Sequence, residues 1–209
     1  MMATLGVAGL CSGLTLAGVF LITLPMIERN RAEAIERAIY KVLLGASSRV
    51  AFVVRDGNLT RFEEPGIPKE EAVFAGYDES GTPLGFAIPA QGPGFQDTIK
   101  LLYGYDPKRR RVVGMEVLES KETPGLGDKI YKDMEFVGAF RDLLVDPEVV
   151  VTKKGSTRDN EVDAISGATI SSKAVARIIN LANASWLERL PEMQAVPPTE
   201  STGSAGEGE

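Results

Sequence analysis

The stretch D-A-I-S-G-A-T-I-S-S at residues 163–172 crowds small residues and hydroxyl side chains against the start of a helical pattern. Apolar residues recur behind it at helical spacing, so the sequence predicts a helix over residues 170–190 with one buried face. Hydroxyl side chains satisfy the first N–H groups of a helix, and four are in place here: Ser166, Thr169, Ser171 and Ser172. A helix start approached by small residues such as Gly167 and Ala168 also binds anions, phosphate above all. The local pattern therefore fits both a capped helix and an anion site.

The composition excludes several kinds of active site. The 209 residues include no His and one Cys, which removes the commonest general base, the commonest zinc ligand, any iron–sulfur cluster and any intramolecular disulfide. Redox chemistry would therefore need a bound organic cofactor, and we expect neither a metal site nor catalytic side chains. The net charge of -6 and the sequence pI of about 5.0 argue against a nucleic-acid partner.

The N-terminal region predicts a membrane anchor. Residues 1–27 carry no charged side chain, and a bilayer span takes roughly 20 apolar residues. The run lacks the basic start and short apolar centre of a cleaved signal peptide, so we expect a retained transmembrane anchor. Residues 28–45 predict a juxtamembrane helix that Gly45 ends. By the positive-inside rule, basic residues beside a membrane span lie on its cytoplasmic side. Four basic residues follow this span, so the rule alone places the rest of the chain in the cytoplasm: Arg29, Arg31, Arg37 and Lys41.

Residues 46–190 predict one α+β domain built from antiparallel hairpins and flanking helices. Strands are expected at residues 49–54, 72–77, 84–89, 98–105, 112–118 and 148–153, and helices at 132–144 and 170–190. The turns D-E-S-G-T and D-P-K-R-R-R join strands into hairpins, and the basic second turn is expected to be a solvated tip. The tail at residues 191–209 is polar and rich in Gly, Ser and Glu, which predicts disorder.

Two glycine-containing loops have unusual composition. Q-G-P-G-F at residues 91–95 permits close approach of the backbone to a flat or large group, and an ordinary loop between strands fits it equally well. E-S-K-E-T-P-G-L-G-D-K-I at residues 119–130 lacks the Lys of a P-loop and contains no G-x-G-x-x-G. A rigid wall against a planar ring would explain this second loop, and so would a tight connection.

The two motifs and the anchor together resemble a known family. E-T-P-G-L-G-D-K-I upstream of D-A-I-S-G-A-T, behind a single N-terminal span, resembles the FMN-binding G subunit of Rnf ion-translocating electron transport complexes over nearly the whole chain. The second motif resembles that family's flavinylation signal, which is an Asp, two variable residues, Ser or Thr, and then Gly-Ala-Thr. The matching residues are Asp163, Ser166, Gly167, Ala168 and Thr169. Ala164 departs from the pattern, since Gly often follows the Asp there.

The resemblance implies a cofactor site. In this family FMN is joined through its phosphate to the last Thr of the signal, here Thr169, and a separate flavin transferase makes the bond. The other signal residues would surround the attachment point. The resemblance also implies that one loop lies near the isoalloxazine ring: Glu122, Thr123, Pro124, Gly125, Leu126 and Gly127.

The implied role is that of an electron carrier without catalysis of its own. The protein would be a redox subunit of a translocase that couples electron transfer between ferredoxin and NAD to ion translocation. Its partners would be the other membrane and soluble subunits. The resemblance implies that the FMN-binding domain lies outside the cytoplasm on the cell (inner) membrane, whereas the positive-inside rule predicts the cytoplasmic side. Two alternatives stay open: the C subunit of a sodium-pumping NADH:quinone reductase, which carries the same signal, and a flavin-free anchored structural or assembly subunit.

Overall fold

The N-terminal segment forms one long helix. The computed structural model describes residues 2–55, 57–153 and 155–193. Helix α1 runs through Met2–Val42, so the expected anchor and juxtamembrane helix are continuous, and Pro25 lies inside them. By length and composition, Gly9–Val42 contains a helix able to cross a membrane, and its most apolar window is not buried against the rest of the protein.

A seven-stranded antiparallel sheet forms the centre of the domain. Its spatial order is β2-β1-β3-β4-β5-β6-β7. The strands are β1 Ser48–Arg55, β2 Asn58–Arg61, β3 Ala72–Tyr77, β4 Pro83–Pro93, β5 Thr98–Asp106, β6 Arg111–Glu119 and β7 Leu143–Leu144. The remaining elements are α2 Lys129–Lys132, α3 Met134–Ala139, the parallel pair β8 Val150–Thr152 and β9 Glu161–Asp163, and α4 Thr169–Trp186.

Most of the predicted strands are confirmed, and the predicted helix at residues 132–144 is wrong. Asp133 divides that segment, because its side chain accepts hydrogen bonds from Glu135 N and Phe136 N and starts α3 anew. The end of the segment leaves helical geometry altogether and pairs as β7 with the edge of β6. The tail expected to be disordered falls outside the described residues from residue 194 onward.

The sheet is covered by a helix on each face. On one face Val175, Ile178 and Ile179 of α4 join a core with the inward side chains of β3 to β6. On the other face Ile39 and Val42 of α1 join a smaller core with β1, β3, β4 and β5. Because a helix and a sheet each bury one apolar face, this three-layer arrangement satisfies both faces of the sheet.

Glycines on the sheet allow α1 to approach closely. A Cβ atom on Gly104 would lie 2.5 Å from the carbonyl oxygen of Val42, and one on Gly114 would lie 2.9 Å from the same oxygen. A Cβ atom on Gly76 would lie 2.6 Å from a methyl group of Leu43. These three residues, the glycine patch, therefore fix how deeply the C-terminal end of α1 packs.

Helix α1 runs antiparallel to β6. Lys41 pairs with Glu116 at 2.7 Å, near the middle of the strand. At the end of the strand Lys100 is the main cause of a lowered pKa of Glu119, and the charge of Arg31 adds to it. Since Arg31 precedes Lys41 by almost three helical turns, the end of β6 lies toward the apolar segment of α1. The loop that follows β6 therefore lies at the end of the domain nearer the apolar segment of α1.

The basic turn lies at an exposed hairpin tip between β5 and β6, as expected, and its arginines pair with acidic residues of the same chain. Arg109 and Arg111 contact Asp142, and Arg110 contacts Asp146 at 2.9 Å. Exposed pairs of this kind contribute little stability individually. They connect the tip to the residues on either side of β7.

The glycine patch generates a stability prediction. We expect Gly104→Ala to lower the free energy of unfolding by about 1–3 kcal/mol, because the added methyl group meets a backbone oxygen that has no room to move. Denaturant unfolding of the full chain in detergent micelles, followed by the fluorescence of the buried Trp186, measures the change. The matched control is Gly138→Ala in α3, where an added Cβ atom meets nothing within 4 Å. Equal unfolding free energies for the two variants would contradict the close packing of α1.

Candidate functional site

A cleft lies where the two sequence motifs meet. It has a volume of about 360 Å³, within the range of small-molecule sites. Three segments line it: the loop between β4 and β5, the loop after β6, and the start of α4. The lining residues are Phe95, Glu122, Thr123, Leu126, Gly127, Gly167, Ala168, Thr169, Ile170 and Ser171.

The carboxylate of Glu122 joins the three segments. Its Oε1 atom accepts hydrogen bonds from Phe95 N at 2.9 Å and from Gln96 N at 3.0 Å. Its Oε2 atom accepts a hydrogen bond from the Ser171 hydroxyl at 2.5 Å. The side chain is buried, with 5% of the residue exposed. A single side chain thus connects the wall loops of the cleft to the first turn of α4.

Hydrogen bonds keep Glu122 ionised. Burial raises the pKa of Glu122, but the hydroxyl of Ser171 and the two backbone N–H groups outweigh that effect, and the pKa lies below its ordinary value. Two glycines leave room for the carboxylate. A Cβ atom on Gly127 would lie 2.6 Å from Oε2, and one on Gly94 would displace Oε1.

The start of α4 is free of side-chain caps, so the prediction of hydroxyl caps is wrong. The N-cap residue is Ala168, and no side chain accepts a hydrogen bond from the first turn in the part of the chain that the structure describes. The hydroxyl of Ser172 instead donates to Ala168 O at 2.9 Å and accepts from Ile165 N at 3.1 Å. The first N–H groups of the helix therefore remain available at the cleft.

Exposure separates the four hydroxyls of the motif. Ser171 is 3% exposed and Ser172 is fully buried, so neither is open to an external reagent. Ser166 is exposed but does not line the cleft. Thr169 is partly exposed and lines the cleft, beside Gly167, whose φ of +81° makes the tight turn into the helix. Thr169 is thus the accessible hydroxyl at the helix start.

The loop after β6 contributes only part of its predicted residues to the cleft. Thr123 lines it and donates a hydrogen bond to the side-chain oxygen of Gln96 at 3.0 Å. Leu126 and Gly127 also line it, whereas Pro124 and Gly125 lie outside the lining. Gly125 has a φ of +80°, so its role is to bend the loop.

Asp163 lies outside the cleft and holds a neighbouring turn. Its carboxylate accepts hydrogen bonds from Thr152 Oγ1 at 3.0 Å, Gly155 N at 3.1 Å and Ser156 N at 2.7 Å. These bonds, that from Gly155 first, hold the pKa of Asp163 below its ordinary value. The acidic residue of the motif therefore connects β8 and β9 just before the turn that leads to Thr169.

Three lining residues were not predicted from the sequence as site residues: Phe95, Ile170 and Ser171, of which Ser171 was expected only as a helix cap. Phe95 is 65% exposed and Ile170 is 59% exposed, and with Leu126 at 50% they form an apolar rim around the cleft. The sequence signal for Phe95 was the loop Q-G-P-G-F, in which a large apolar residue follows Gly-Pro-Gly. Ile170 gave no such signal, because an apolar residue in the first turn of a helix is usually part of the core.

Comparison with known proteins relates this site to a cofactor. Residues 94–184, which include all of the lining residues, match the FMN-binding domain family. The G subunit of an ion-translocating oxidoreductase complex from Methanosarcina acetivorans is 40% identical over 109 residues, which are 52% of this chain and 55% of that protein. The G subunit of a proton-translocating ferredoxin:NAD(+) oxidoreductase complex from Clostridium ljungdahlii is 28% identical over 79% of each chain.

The chain is similar in sequence to these G subunits, and its residues 94–184 match an FMN-binding domain. The match spans about half the length of the Methanosarcina relative. Among solved structures, the C subunit of a Na(+)-translocating NADH-quinone reductase from Parabacteroides distasonis has a TM-score of 0.60 at 21% identity, covering 79% of this chain and 96% of that chain. This likeness shows that the fold is shared.

The residues of the cleft fit FMN, the cofactor that the domain family implies. The apolar rim suits a flat ring system, because ring and rim both lose apolar surface to water on contact. The uncapped start of α4 suits a phosphate group, since helix N-termini offer free N–H donors and a favourable dipole. The cleft thus has a place for each chemically distinct end of FMN.

The bonds of Asp163 generate a prediction about local stability. We expect Asp163→Ala to speed amide hydrogen exchange at Gly155 and Ser156, because both N–H groups lose their acceptor. A depressed pKa stabilises the folded state at neutral pH, and this contribution is lost as the pH falls through the lowered pKa, so acid should lower the protection of these two amides, relative to their intrinsic exchange rates, in the parent protein. Asp159→Ala, in the same segment, is the control. Unchanged exchange in Asp163→Ala would show that the turn does not depend on this carboxylate.

Proposed function

We propose that this G-subunit homologue carries one FMN joined through its phosphate to Thr169 and passes electrons within a membrane complex. The observation that carries the proposal is the position of Thr169, which is the accessible hydroxyl at an uncapped helix start that lines the cleft. A phosphoester there would keep its negative charge beside the free N–H groups of α4. The neighbouring hydroxyls Ser171 and Ser172 are too buried to compete.

The ring of the cofactor would lie against the apolar rim and the loop after β6. Phe95, Leu126 and Ile170 present apolar surface to it. Thr123 and the backbone at Gly127 also bound the cleft. FMN supplies the ability to take up and release electrons, and the protein sets its position and its surroundings. None of the residues in the cleft needs to act as an acid or base for this role.

Attachment would be carried out by a flavin transferase. The described residues that line the cleft with Thr169 include no base placed to activate its hydroxyl, since Glu122 is occupied by its own donors, and the chain contains no His. Ser166 and Gly167 are exposed beside it, which leaves the turn open to a large enzyme. The motif would thus serve two purposes, since it positions the helix start and presents the acceptor hydroxyl.

The complex would be of the Rnf type. The Clostridium relative is named as part of a ferredoxin:NAD(+) oxidoreductase complex, and so is a relative from Acetobacterium woodii that is 32% identical over 56% of this chain. Electron transfer between ferredoxin and NAD would be coupled there to ion translocation. The loop after β6 lies toward the apolar segment of α1, and with that segment in the membrane FMN would lie near membrane-embedded partner proteins.

The C subunit of a quinone reductase is the second candidate. Solved structures of that protein share the fold, with TM-scores of 0.59 and 0.60 at 17% and 21% identity. The sequence relatives favour the G subunit of the other complex, since proteins of that name match at 26–40% identity. A flavin-free structural protein would leave the uncapped helix start and the apolar rim without a role.

A substitution of Thr169 tests the attachment. We expect Thr169→Ala, coexpressed with a flavin transferase, to contain no covalent FMN, because the acceptor oxygen is gone. The unfolding free energy should change by less than about 0.5 kcal/mol, since the Thr169 side chain does not cap the helix. The mass of the intact, acid-precipitated chain reports the adduct. Ser166→Ala is the matched control and should keep one FMN per chain. An adduct of equal yield on Thr169→Ala would contradict the assignment.

Membrane topology forms a separate prediction. We propose that the domain lies outside the cytoplasm, where a covalent bond would prevent loss of a scarce cofactor. Alkaline phosphatase fused after Leu190 should be active, and a fluorescent protein that folds only in the cytoplasm should stay dark. The same fusions on a chain without residues 2–27 provide the control and should show the reverse. A fluorescent full-length fusion with inactive phosphatase would place the domain in the cytoplasm, as the basic residues after the span suggest.

A further inference from the structure

Glu122 has a position that the attachment of a cofactor alone does not explain. Its carboxylate is buried at the cleft wall and accepts three hydrogen bonds, from Phe95 N, Gln96 N and the Ser171 hydroxyl. We propose that Glu122 is a positioning residue whose hydrogen bonds hold the cleft in shape and whose negative charge lowers the reduction potential of the bound flavin. This inference rests on the proposed function, because it concerns FMN held in this cleft.

The positional part follows from the distances along the chain. Glu122 is separated from Phe95 by 27 residues and from Ser171 by 49 residues, so the hydrogen bonds join segments that are far apart in sequence. Removal of the carboxylate would leave two partly buried N–H groups and one buried hydroxyl without their acceptor, which is costly in each case. The loop that carries Phe95 would then be free to move away from the cleft.

Two neighbouring glycines leave the space that the Glu122 carboxylate occupies. A Cβ atom on Gly127 would lie 2.6 Å from Oε2 and 2.9 Å from the Ser171 hydroxyl. Gly94 excludes a side chain in the same way at Oε1. Neither glycine has a backbone φ in the left-handed region, so the requirement for glycine comes from the close approach of Glu122.

The electrostatic part follows from the absence of a neutralising cation. Among the described residues Glu122 forms no ion pair, and its three donors are neutral groups. These donors keep it charged, and a charge in a partly desolvated wall is screened less than one in water. Glu122 therefore contributes a fixed negative charge at this wall of the cleft.

A negative potential disfavours reduction of a flavin. Uptake of two electrons and one proton leaves one additional negative charge on the ring system. Repulsion between that charge and Glu122 raises the free energy of the reduced form relative to the oxidised form, which lowers the midpoint potential. A low potential is appropriate for a carrier that receives electrons from a strongly reducing donor.

Two substitutions separate position from charge. In Glu122→Gln the amide oxygen still accepts from Phe95 N and Gln96 N, and the amide nitrogen donates to the Ser171 oxygen, so the shape persists while the charge is lost. In Glu122→Ala both the hydrogen bonds and the charge are lost. Glu119→Gln is the matched control, because Glu119 is more exposed, pairs with Lys100 and does not line the cleft.

The test uses full-length chains in detergent micelles. Intact mass first establishes that each flavin-loaded chain carries one FMN, and an electrode with mediator dyes then measures the midpoint potential. We expect the potential of Glu122→Gln to be more positive, with at least a tenfold change in the ratio of reduced to oxidised flavin, which is about 30 mV for a two-electron couple. Glu119→Gln should match the parent protein. An unchanged potential in Glu122→Gln, or an equal shift in Glu119→Gln, would overturn the proposal.

Flavin-free protein, made without a transferase, tests the positional part independently of the cofactor. We expect amide exchange at Phe95 and Gln96 to accelerate in Glu122→Ala and to stay close to that of the parent protein in Glu122→Gln. Unchanged exchange in Glu122→Ala would overturn the positional role. If Glu122→Ala does not fold, accelerated exchange in Glu122→Gln would overturn it instead. A parent chain that never acquires flavin would contradict the proposed function, while the exchange data would still decide the role of Glu122 in shaping the cleft.

Discussion

A carboxylate removed from water must find hydrogen-bond donors, and this requirement at Glu122 determines the shape of the cleft. The donors come from two distant segments, the loop after β4 and the first turn of α4. Because Ser171 is occupied by Glu122 and Ser172 by the backbone before α4, the hydroxyl of the motif left accessible at the cleft is that of Thr169. The hydrogen bonds that shape the cleft wall therefore also leave Thr169 as the accessible hydroxyl.

The two helices give the site its place relative to the membrane. Helix α4 covers one face of the sheet and presents its uncapped start to the cleft. The C-terminal part of α1 covers the other face, where the glycine patch fixes its depth. Helix α1 continues from its apolar segment into this packed end, so the packing fixes where the sheet sits on the C-terminal part of that helix.

The sequence predicted local patterns well and contacts between distant residues poorly. Strands β3 and β5 were predicted closely, because their apolar runs and turn residues are local signals. Strand β7 was missed, since only pairing with β6 makes Leu143 and Leu144 a strand. The resemblance grouped two segments that line one cleft in the structure, but nothing local distinguished Glu122, which forms the wall, from Pro124, which lies outside it. The role of Asp163 in a neighbouring turn likewise depends on β8.

The central claim is that the cleft holds FMN on one defined oxygen atom, and peptide mapping tests it most directly. Trypsin cleaves after Arg158 and Lys173, so residues 159–173 form one peptide that contains all four hydroxyls of the motif. Tandem mass spectrometry of the flavin-loaded protein should locate one FMN, less one water, on Thr169 of this peptide and on no other residue. An adduct on Ser166, Ser171 or Ser172, or on a different peptide, would contradict the account.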